Sequence, residues 1–153
     1  MKISDANKFL IVSLCDKFSV EVGKVLAQSF GMMFCDVNDL VEYELIDKEQ
    51  LEELSSAGYI KAREKKVVRH FVSFENVVGA MGFDYFVNNK NDIKGTWTIF
   101  VKLPKNHVDK ISRIAYEDRN VKLQESTNMT ISVKKVDAKF VCEKIIENLR
   151  KEL

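Results

Sequence analysis

The residues that could bind a phosphate chain lie in one turn near the N-terminus. Residues 9–28 predict a buried strand, a short turn and an amphipathic helix. Nucleotide-binding proteins place a glycine-rich loop in this setting, because glycine lets backbone N–H groups close around phosphate oxygens. The turn SLCDKFS contains no glycine, and Lys17 precedes the predicted helix start at about Ser19. The predicted strand, turn and helix therefore indicate a phosphate-binding fold, whereas the turn lacks the groups that would bind phosphate.

Other side chains with reactive or metal-ligating chemistry are few and scattered. Cys15, Cys35 and Cys142 are far apart in sequence, and the second and third lie in apolar runs. Free cysteine packs as a small hydrophobe, so we predict reduced, buried thiols for those two. Neither His70 nor His107 is near a cysteine in sequence. The spacing predicts no metal site, and we find no motif for a catalytic residue.

Composition and charge limit the classes of partner. The chain of 153 residues is 46% hydrophobic and 31% charged, which is enough for one domain, residues 1–153, with a buried core. It carries 24 basic and 23 acidic residues, so its charge favours neither nucleic acid nor an anionic membrane. No apolar run approaches the roughly 18 residues of a membrane span. The start MKISDANK lacks the apolar core of a signal peptide, and we therefore expect a cytoplasmic protein.

Short apolar runs alternate with helical patterns along most of the chain. Strands are predicted at 9–12, 32–35, 76–80, 96–103 and 130–133, and helices at 19–29, 36–44, 47–56, 59–71, 106–115 and from 137 onward. Such alternation predicts an α/β fold with a parallel sheet covered by helices on both faces. We therefore expect one three-layer α/β/α domain with a parallel sheet of about five strands.

Four segments occur in an order that is typical of one enzyme family. They are VEVGKVLAQSFGMMFCDVNDLVE, GYIKAREKKVV, NVVGAMGF and NMTISVKKVDAKFVCEKIIENL. The first resembles the helix that follows a phosphate loop, together with the aspartate motif after it. The second resembles a G-E-x-x-F-R-x-x-E helix. The third resembles a strand that ends in glycine, and the fourth resembles a closing strand and helix. Together they resemble the shikimate kinase family of P-loop small-molecule kinases over about residues 9–149. The resemblance implies the shikimate kinase topology.

The same resemblance shows where the phosphate loop departs from the family. The family loop reads G-x-x-x-x-G-K-[ST], and it corresponds to residues 13–20. The two glycines, the lysine and the Mg²⁺-binding hydroxyl are replaced by Ser13, Phe18, Ser19 and Val20. Serine brings no positive charge to the phosphates, and valine brings no oxygen to Mg²⁺. We therefore predict a degenerate Walker A loop that binds no nucleotide, and we expect no cofactor.

The resemblance also implies a ligand pocket on the acceptor side of the fold. Its residues would be Asp36 and Asn38 in the D-[TS]-D motif, Lys61 for the carboxylate-binding arginine, Gly82 for a family glycine and Arg119 in the lid. A lysine is a less directional carboxylate partner than an arginine. Simpler interpretations stay open: Asp36 as a helix cap, and Arg119 as a solvated surface residue.

Three further features have a structural and a functional interpretation. The basic residues within 61–70 spread around a helix, which favours a solvated face over a nucleic-acid surface. Trp97 in an apolar strand is expected in the core. Phe83, Tyr85 and Phe86 form an aromatic cluster in a predicted loop, which is a candidate contact surface if exposed.

These observations predict a pseudoenzyme: a catalytically inactive shikimate kinase-like protein that binds a small metabolite or a protein partner through the remaining pocket. One alternative is an active ATP-dependent small-molecule kinase with a rearranged loop that uses Lys17 or Lys24. Another is a scaffold with purely protein–protein contacts. The sequence leaves the ligand, the pathway and the oligomeric state open.

Overall fold

The computed structural model of the protein describes residues 5–44 and 57–152. Its centre is one sheet of five parallel strands in the order β2-β3-β1-β4-β5. The strands are β1 (Lys8–Ser13), β2 (Met33–Asp36), β3 (Val77–Met81), β4 (Trp97–Lys102) and β5 (Met129–Ser132). The α/β fold class and the parallel sheet expected from the sequence are confirmed.

Seven α-helices lie within the described residues. They are α1 (Asp16–Phe30), α2 (Val37–Glu44), α3 (Ala57–Val72), α4 (Phe83–Asn89), α5 (Lys110–Ile114), α6 (Tyr116–Ser126) and α7 (Ala138–Glu152). None of these helices is both long and apolar enough to cross a membrane.

Helices cover the sheet on both faces. The ring of Phe9 in β1 lies 5.2 Å from the ring of Phe30 in α1, and α7 packs against α1. Phe71 of α3 lies against Gly79 of β3, which is paired in register with Leu10. Successive strand residues point to opposite faces, so Leu10 and Phe9 face different helical layers. The three layers expected from the alternating pattern are therefore present.

Burial explains why the strand segments read as continuous apolar runs. Leu10, Ile11 and Val12 of β1 are fully buried, since they lie between two covered faces of a parallel sheet. Trp97 is also buried, as its apolar setting predicted. Cys35 and Cys142 are buried free thiols. Burial raises the pKa of Cys35 to about 11 and that of Cys142 to about 12, so both stay protonated at neutral pH.

Four sequence predictions differ from the structure or lie outside it. The first helix begins at Asp16, three residues before the expected Ser19, so Lys17 lies in its first turn. The predicted aromatic loop is α4, and Phe86 is buried within it. The helix predicted at 106–115 is instead the short 3₁₀ turn Lys105–His107 followed by α5, with α6 after it. The helix predicted at 47–56 falls outside the described residues.

Candidate functional site

The junction between β1 and α1 has little room for a phosphate-binding loop. Only Leu14 and Cys15 separate the end of the strand at Ser13 from the start of the helix at Asp16. Phe18, Ser19 and Val20, which correspond to the last three positions of the family loop, are helical. The position of the helix start is the feature that sequence reasoning missed here, because a charged turn without glycine gave no clear cap.

The backbone N–H groups of this junction already have partners. The N–H of Ser19 donates to the carbonyl of Cys15 at 3.0 Å, and the N–H of Cys15 donates to Ser13 Oγ at 3.2 Å. Burial raises the pKa of the Cys15 thiol, and hydrogen bonds to its sulfur from the backbone N–H groups of Phe18 and Lys17 oppose that rise. Four amides of this junction, those of Cys15, Lys17, Phe18 and Ser19, therefore have internal acceptors.

Buried side chains fill the interior of the same junction. Ser13 Oγ lies 2.5 Å from Ser19 Oγ, and both residues are buried. Ser13 Oγ donates to the carbonyl of Cys15 at 2.8 Å, so its only proton is used and Ser19 must donate to it. Phe18 lies in the hydrophobic core with 6% of its surface exposed. Ser13, Phe18 and Ser19 are therefore packed in the interior, whereas Asp16 and Lys17 are exposed.

A cavity of about 410 Å³ remains beside this junction, at the carboxyl ends of β1 and β3. In open α/β sheets, ligands bind at this edge of the sheet. The lining residues are Ser13, Leu14, Asp16, Asn38, Glu42, Gly82, Phe83, Asp84, Tyr85, Asp109, Ile111, Ser112 and Arg119. They include four carboxylates and one arginine, which makes the lining strongly negative.

Three residues form a fixed polar chain at the cavity wall. The N–H of Gly82 donates to Asn38 Oδ1 at 2.8 Å, and Asn38 Nδ2 donates to Asp16 Oδ2 at 3.2 Å. A Cβ at Gly82 would lie 2.9 Å from Asn38 Nδ2 and 3.0 Å from Asp16 Oδ1. An asparagine is required at this position because an aspartate has no N–H to donate to Asp16. Gly82 and Asn38 together hold the Asp16 carboxylate in place.

The carboxylates of the cavity repel one another. Burial raises the pKa of Asp16, and the negative charges of Asp109, Asp36, Asp84 and Glu42 raise it further. Burial also raises the pKa of Asp36, although the backbone N–H of Asp39 opposes this rise. The Asp16 carboxylate is thus held in a site that disfavours its ionised form.

The single arginine of the cavity does not neutralise these charges. The Arg119 guanidinium lies 4.4 Å from the centre of the Phe83 ring and donates to Ser112 Oγ at 3.1 Å. Within residues 5–44 and 57–152, none of the ion pairs formed involves a carboxylate that lines the cavity. The same residues contain no group of three or more His, Cys, Asp or Glu side chains that could hold a metal ion.

The residues proposed from the sequence for the ligand pocket do not all meet. Asn38, Gly82 and Arg119 line the cavity of about 410 Å³ described above, which we call the main cavity. Asp36 lines a neighbouring open cleft of about 440 Å³ and caps α2, since its Oδ1 accepts the N–H of Asp39 at 3.2 Å. Lys61 lines a different, smaller cavity of about 180 Å³ with residues of α3 and α4.

The assignment of Lys61 to the arginine of the family motif needs correction. When the motif G-E-x-x-F-R begins at Gly58, its sixth position is Arg63, two residues after Lys61. Arg63 does not line the main cavity; its guanidinium donates to Glu44 Oε1 at 2.6 Å and to the Tyr59 hydroxyl at 2.8 Å. Neither basic side chain therefore provides a carboxylate partner in the main cavity.

Sequence reasoning missed the four carboxylates of the cavity, although a signal for them was present. Asp16 follows β1, Asp84 follows β3 and Asp109 follows β4, while Glu42 lies in α2 after β2. Side chains that follow parallel strands meet at one edge of the sheet. Once the strands were predicted, these acidic residues could have been placed together.

Similar solved structures identify the fold. The chain matches the shikimate kinase from Acinetobacter baumannii, solved with shikimate, with a TM-score of 0.74 and 16% identity, covering 96% of this chain and 95% of that one. The shikimate kinase from Aquifex aeolicus matches with a TM-score of 0.70 and 21% identity over 93% and 95% of the two chains. A gluconokinase from Sinorhizobium meliloti matches with a TM-score of 0.59 and 13% identity over 95% and 93%.

These matches establish a P-loop kinase-like α/β fold. Within that class, the chain has the topology of the shikimate kinases, and the resemblance stated from its sequence is confirmed for the fold. No protein-family model matches the sequence, and no curated protein matches it. At these identities the likeness concerns the fold, and the absence of nucleotide binding stays a prediction.

Proposed function

We propose that this protein is a non-catalytic relative of the small-molecule kinases that binds a small metabolite in the cavity at the carboxyl ends of its strands. It does so without ATP and without transferring phosphate. The observation that carries this proposal is the β1–α1 junction, where side chains and internal hydrogen bonds occupy the place of a phosphate loop.

Electrostatics supports the same conclusion. A triphosphate needs N–H donors, a lysine and Mg²⁺ to balance its charge. The cavity instead presents Asp16, Asp84, Asp109 and Glu42 against the single Arg119. These four carboxylates are exposed to solvent, and their negative charges oppose the binding of an anion. A triphosphate in this cavity would therefore meet net repulsion where a kinase offers attraction.

The cavity itself is large enough for a ligand. Its volume of about 410 Å³ falls within the range of small-molecule sites, roughly 300–1,000 Å³. Polar groups and the rings of Phe83 and Tyr85 share its wall, so a ligand would find both hydrogen-bonding and apolar contacts. These features favour metabolite binding over a scaffold function that leaves the cavity empty.

Thermal unfolding with nucleotide tests the proposal directly. At 1 mM ATP with Mg²⁺ we expect no rise in Tm, whereas a ligand with a Kd 100-fold lower than its concentration adds about 2.7 kcal/mol to the free energy of unfolding. The shikimate kinase from Acinetobacter baumannii serves as the positive control under identical conditions. A rise of several degrees for this protein, or transfer of labelled phosphate to a small hydroxy acid, would contradict the proposal.

A surviving kinase is the second candidate, and one observation favours it. Lys17 and Lys24 line the open cleft of about 440 Å³ together with Asp36 and Asn38. Two lysines beside an aspartate could contact a phosphate chain on the outer side of α1. If nucleotide binding is found and is lost in Lys17→Ala/Lys24→Ala but kept in Lys144→Ala, this second function replaces the first.

A further inference from the structure

A small cavity of about 180 Å³ is lined by residues of α3 and α4, and we call it the α3–α4 cavity. Lys61, Glu64 and Lys65 come from α3, and Asn88 and Asn89 come from α4. The three residues of α3 fall on one face of that helix, because positions three and four apart are neighbours. Among the described residues the α3–α4 cavity shares no lining residue with the main cavity, so the proposed function makes no use of it.

The side chain of Asn89 has one buried atom without a hydrogen-bond partner. Asn89 is 1% exposed, and its Nδ2 donates to Glu64 Oε1 at 2.8 Å and to the carbonyl oxygen of Tyr85 at 2.7 Å. These two acceptors use both N–H groups and fix the orientation of the amide. Its Oδ1 is buried and has no donor among the described residues. Buried polar atoms are rarely left unpaired, so this oxygen indicates a donor that comes from outside the described chain.

The charged groups of the α3–α4 cavity do not neutralise one another by direct contact. Lys61 and Lys65 are exposed, and neither forms an ion pair within residues 5–44 and 57–152. Glu64 lies on the same face of α3 but accepts a hydrogen bond from Asn89 and pairs with neither lysine. One negative group and two positive groups therefore line the same small space, and each is available to a ligand of opposite charge.

We infer that the α3–α4 cavity binds a small α-amino acid as its zwitterion. The ammonium group of the ligand supplies donors to the Glu64 carboxylate and to Asn89 Oδ1. The carboxylate of the ligand pairs with Lys61 and Lys65. A purely anionic ligand would leave Asn89 Oδ1 without a donor, and a purely cationic one would be repelled by both lysines. The volume is below the roughly 300–1,000 Å³ of sites for larger ligands, which suits a molecule of this size.

The two sides of the cavity differ in how firmly their side chains are held. Asn89 and Glu64 are joined by a hydrogen bond, and the Tyr85 carbonyl holds Asn89 a second time. Groups fixed in this way lose little conformational freedom when they bind a ligand. Lys61 and Lys65 are exposed, and exposed side chains change rotamer within nanoseconds, so they can adjust around a ligand that has entered.

Calorimetric titration with matched ligands tests the requirement for both charges. At pH 7 and constant ionic strength we would compare alanine with alaninamide, which keeps the ammonium group but not the carboxylate. Lactate and propionate keep the carboxylate but not the ammonium group. We expect alanine to bind at least about fivefold more tightly than each of the other three. Its binding should also shift the side-chain amide resonances of Asn89 in the NMR spectrum.

Isosteric variants locate the site. Glu64→Gln keeps a hydrogen-bond acceptor at this position but removes the charge, and it should weaken alanine binding roughly tenfold. Lys61→Gln/Lys65→Gln should weaken it roughly fivefold. The matched control Lys134→Gln/Lys139→Gln removes two exposed lysines outside the cavity and should change the affinity less than about twofold. Circular dichroism confirms that each variant is folded.

A variant of the main cavity separates the two sites. Asp109→Asn should leave alanine binding within about twofold, and a loss as large as that in Glu64→Gln would place alanine in the main cavity and overturn the inference. Lactate or propionate binding as tightly as alanine would overturn the amino-acid assignment, as would alaninamide doing so. An equal loss in the lysine control, or no binding of alanine, serine or glycine, would overturn the site. All of these outcomes leave the proposed function standing, because it concerns the main cavity.

Discussion

Two junctions at the same edge of the sheet are built in opposite ways. At the first, β1 leads into α1 without a glycine, and buried Ser13, Phe18 and Ser19 fill the space. At the second, β3 leads into α4 through Gly82, whose missing side chain leaves room for Asn38 and Asp16. One junction is closed by side chains, and the other is kept open for polar groups.

The difference separates what the fold needs from what a ligand needs. Parallel pairing of β1 with β3 and β4 continues to the end of β1 although the junction that follows contains no glycine. The fold therefore does not depend on a phosphate loop. Gly82 contributes differently, because it determines which side chains can reach the cavity. Fold and site are built from separate residues, and a kinase-like fold does not by itself imply kinase chemistry.

Introducing the glycine-rich loop sequence at the first junction should give the largest change in the free energy of unfolding. We expect Ser13→Gly/Phe18→Gly/Ser19→Lys/Val20→Ser to lower the free energy of unfolding by more than about 4 kcal/mol, because it empties a core position and puts glycine into a helix. It should also fail to restore nucleotide binding. Urea unfolding and fluorescent-nucleotide titration measure both effects.

A single matched change keeps that test interpretable if the rebuilt loop does not fold. Phe18→Leu preserves an apolar core residue and should cost less than about 1.5 kcal/mol. A quadruple variant that stays folded and binds Mg²⁺–ATP at micromolar concentration would show that only the lining of the phosphate site had been lost.

Filling the open junction should have the second largest effect. Gly82→Ala places a Cβ 2.9 Å from Asn38 Nδ2 and 3.0 Å from Asp16 Oδ1, so the ends of both side chains must shift and the hydrogen bond from the Gly82 N–H to Asn38 is weakened. We expect a loss of about 1 kcal/mol in the free energy of unfolding. Gly31→Asn is the control, since nothing lies within 4 Å of its Cβ position and asparagine tolerates the φ of +66° there better than other side chains do. Equal effects would contradict the role given to Gly82.

The two junctions also show which features could be predicted from the sequence and which could not. The order of strands and helices was predictable because buried parallel strands read as continuous apolar runs. The early start of α1 at Asp16 was not, since Cys15, its N-cap residue, forms no side-chain capping bond that a pattern could indicate. The Gly82–Asn38–Asp16 chain joins three distant segments, and only the register of the sheet brings them together.

Neutralising the carboxylate at the first junction should have a smaller effect of opposite sign. The folded-state pKa of Asp16 is raised, so folding favours its protonated form and its ionised form lowers stability above that pKa. Asp16→Asn should therefore raise Tm at pH 7, by an amount that solvent screening reduces because Asp16 is exposed.

The pH dependence of the Tm difference tests whether ionised Asp16 lowers the stability of the fold. As pH falls through the raised pKa of Asp16, the wild-type carboxyl gains its proton and the Tm difference from Asp16→Asn should shrink. Glu125→Gln, at an exposed position on α6 outside the ion pairs of the described residues, is the control and should show no such convergence. A difference that grows toward acidic pH would mean that the ionised Asp16 stabilises the fold.

The smallest effect concerns the side chain that links α6 to the second junction. Arg119 stacks on Phe83, the first residue of α4, and donates to Ser112, so Arg119→Gln should cost about 0.5–1 kcal/mol. A double-mutant cycle between Arg119 and Phe83 should give a coupling of that size, whereas a cycle with Asp109 should stay below about 0.5 kcal/mol. The contrast follows from geometry, because the guanidinium lies on the ring and forms no ion pair with Asp109 among the described residues. Strong coupling to Asp109 would show that the arginine already neutralises the cavity, and the negative charge that distinguishes it from a phosphate site would then be largely compensated.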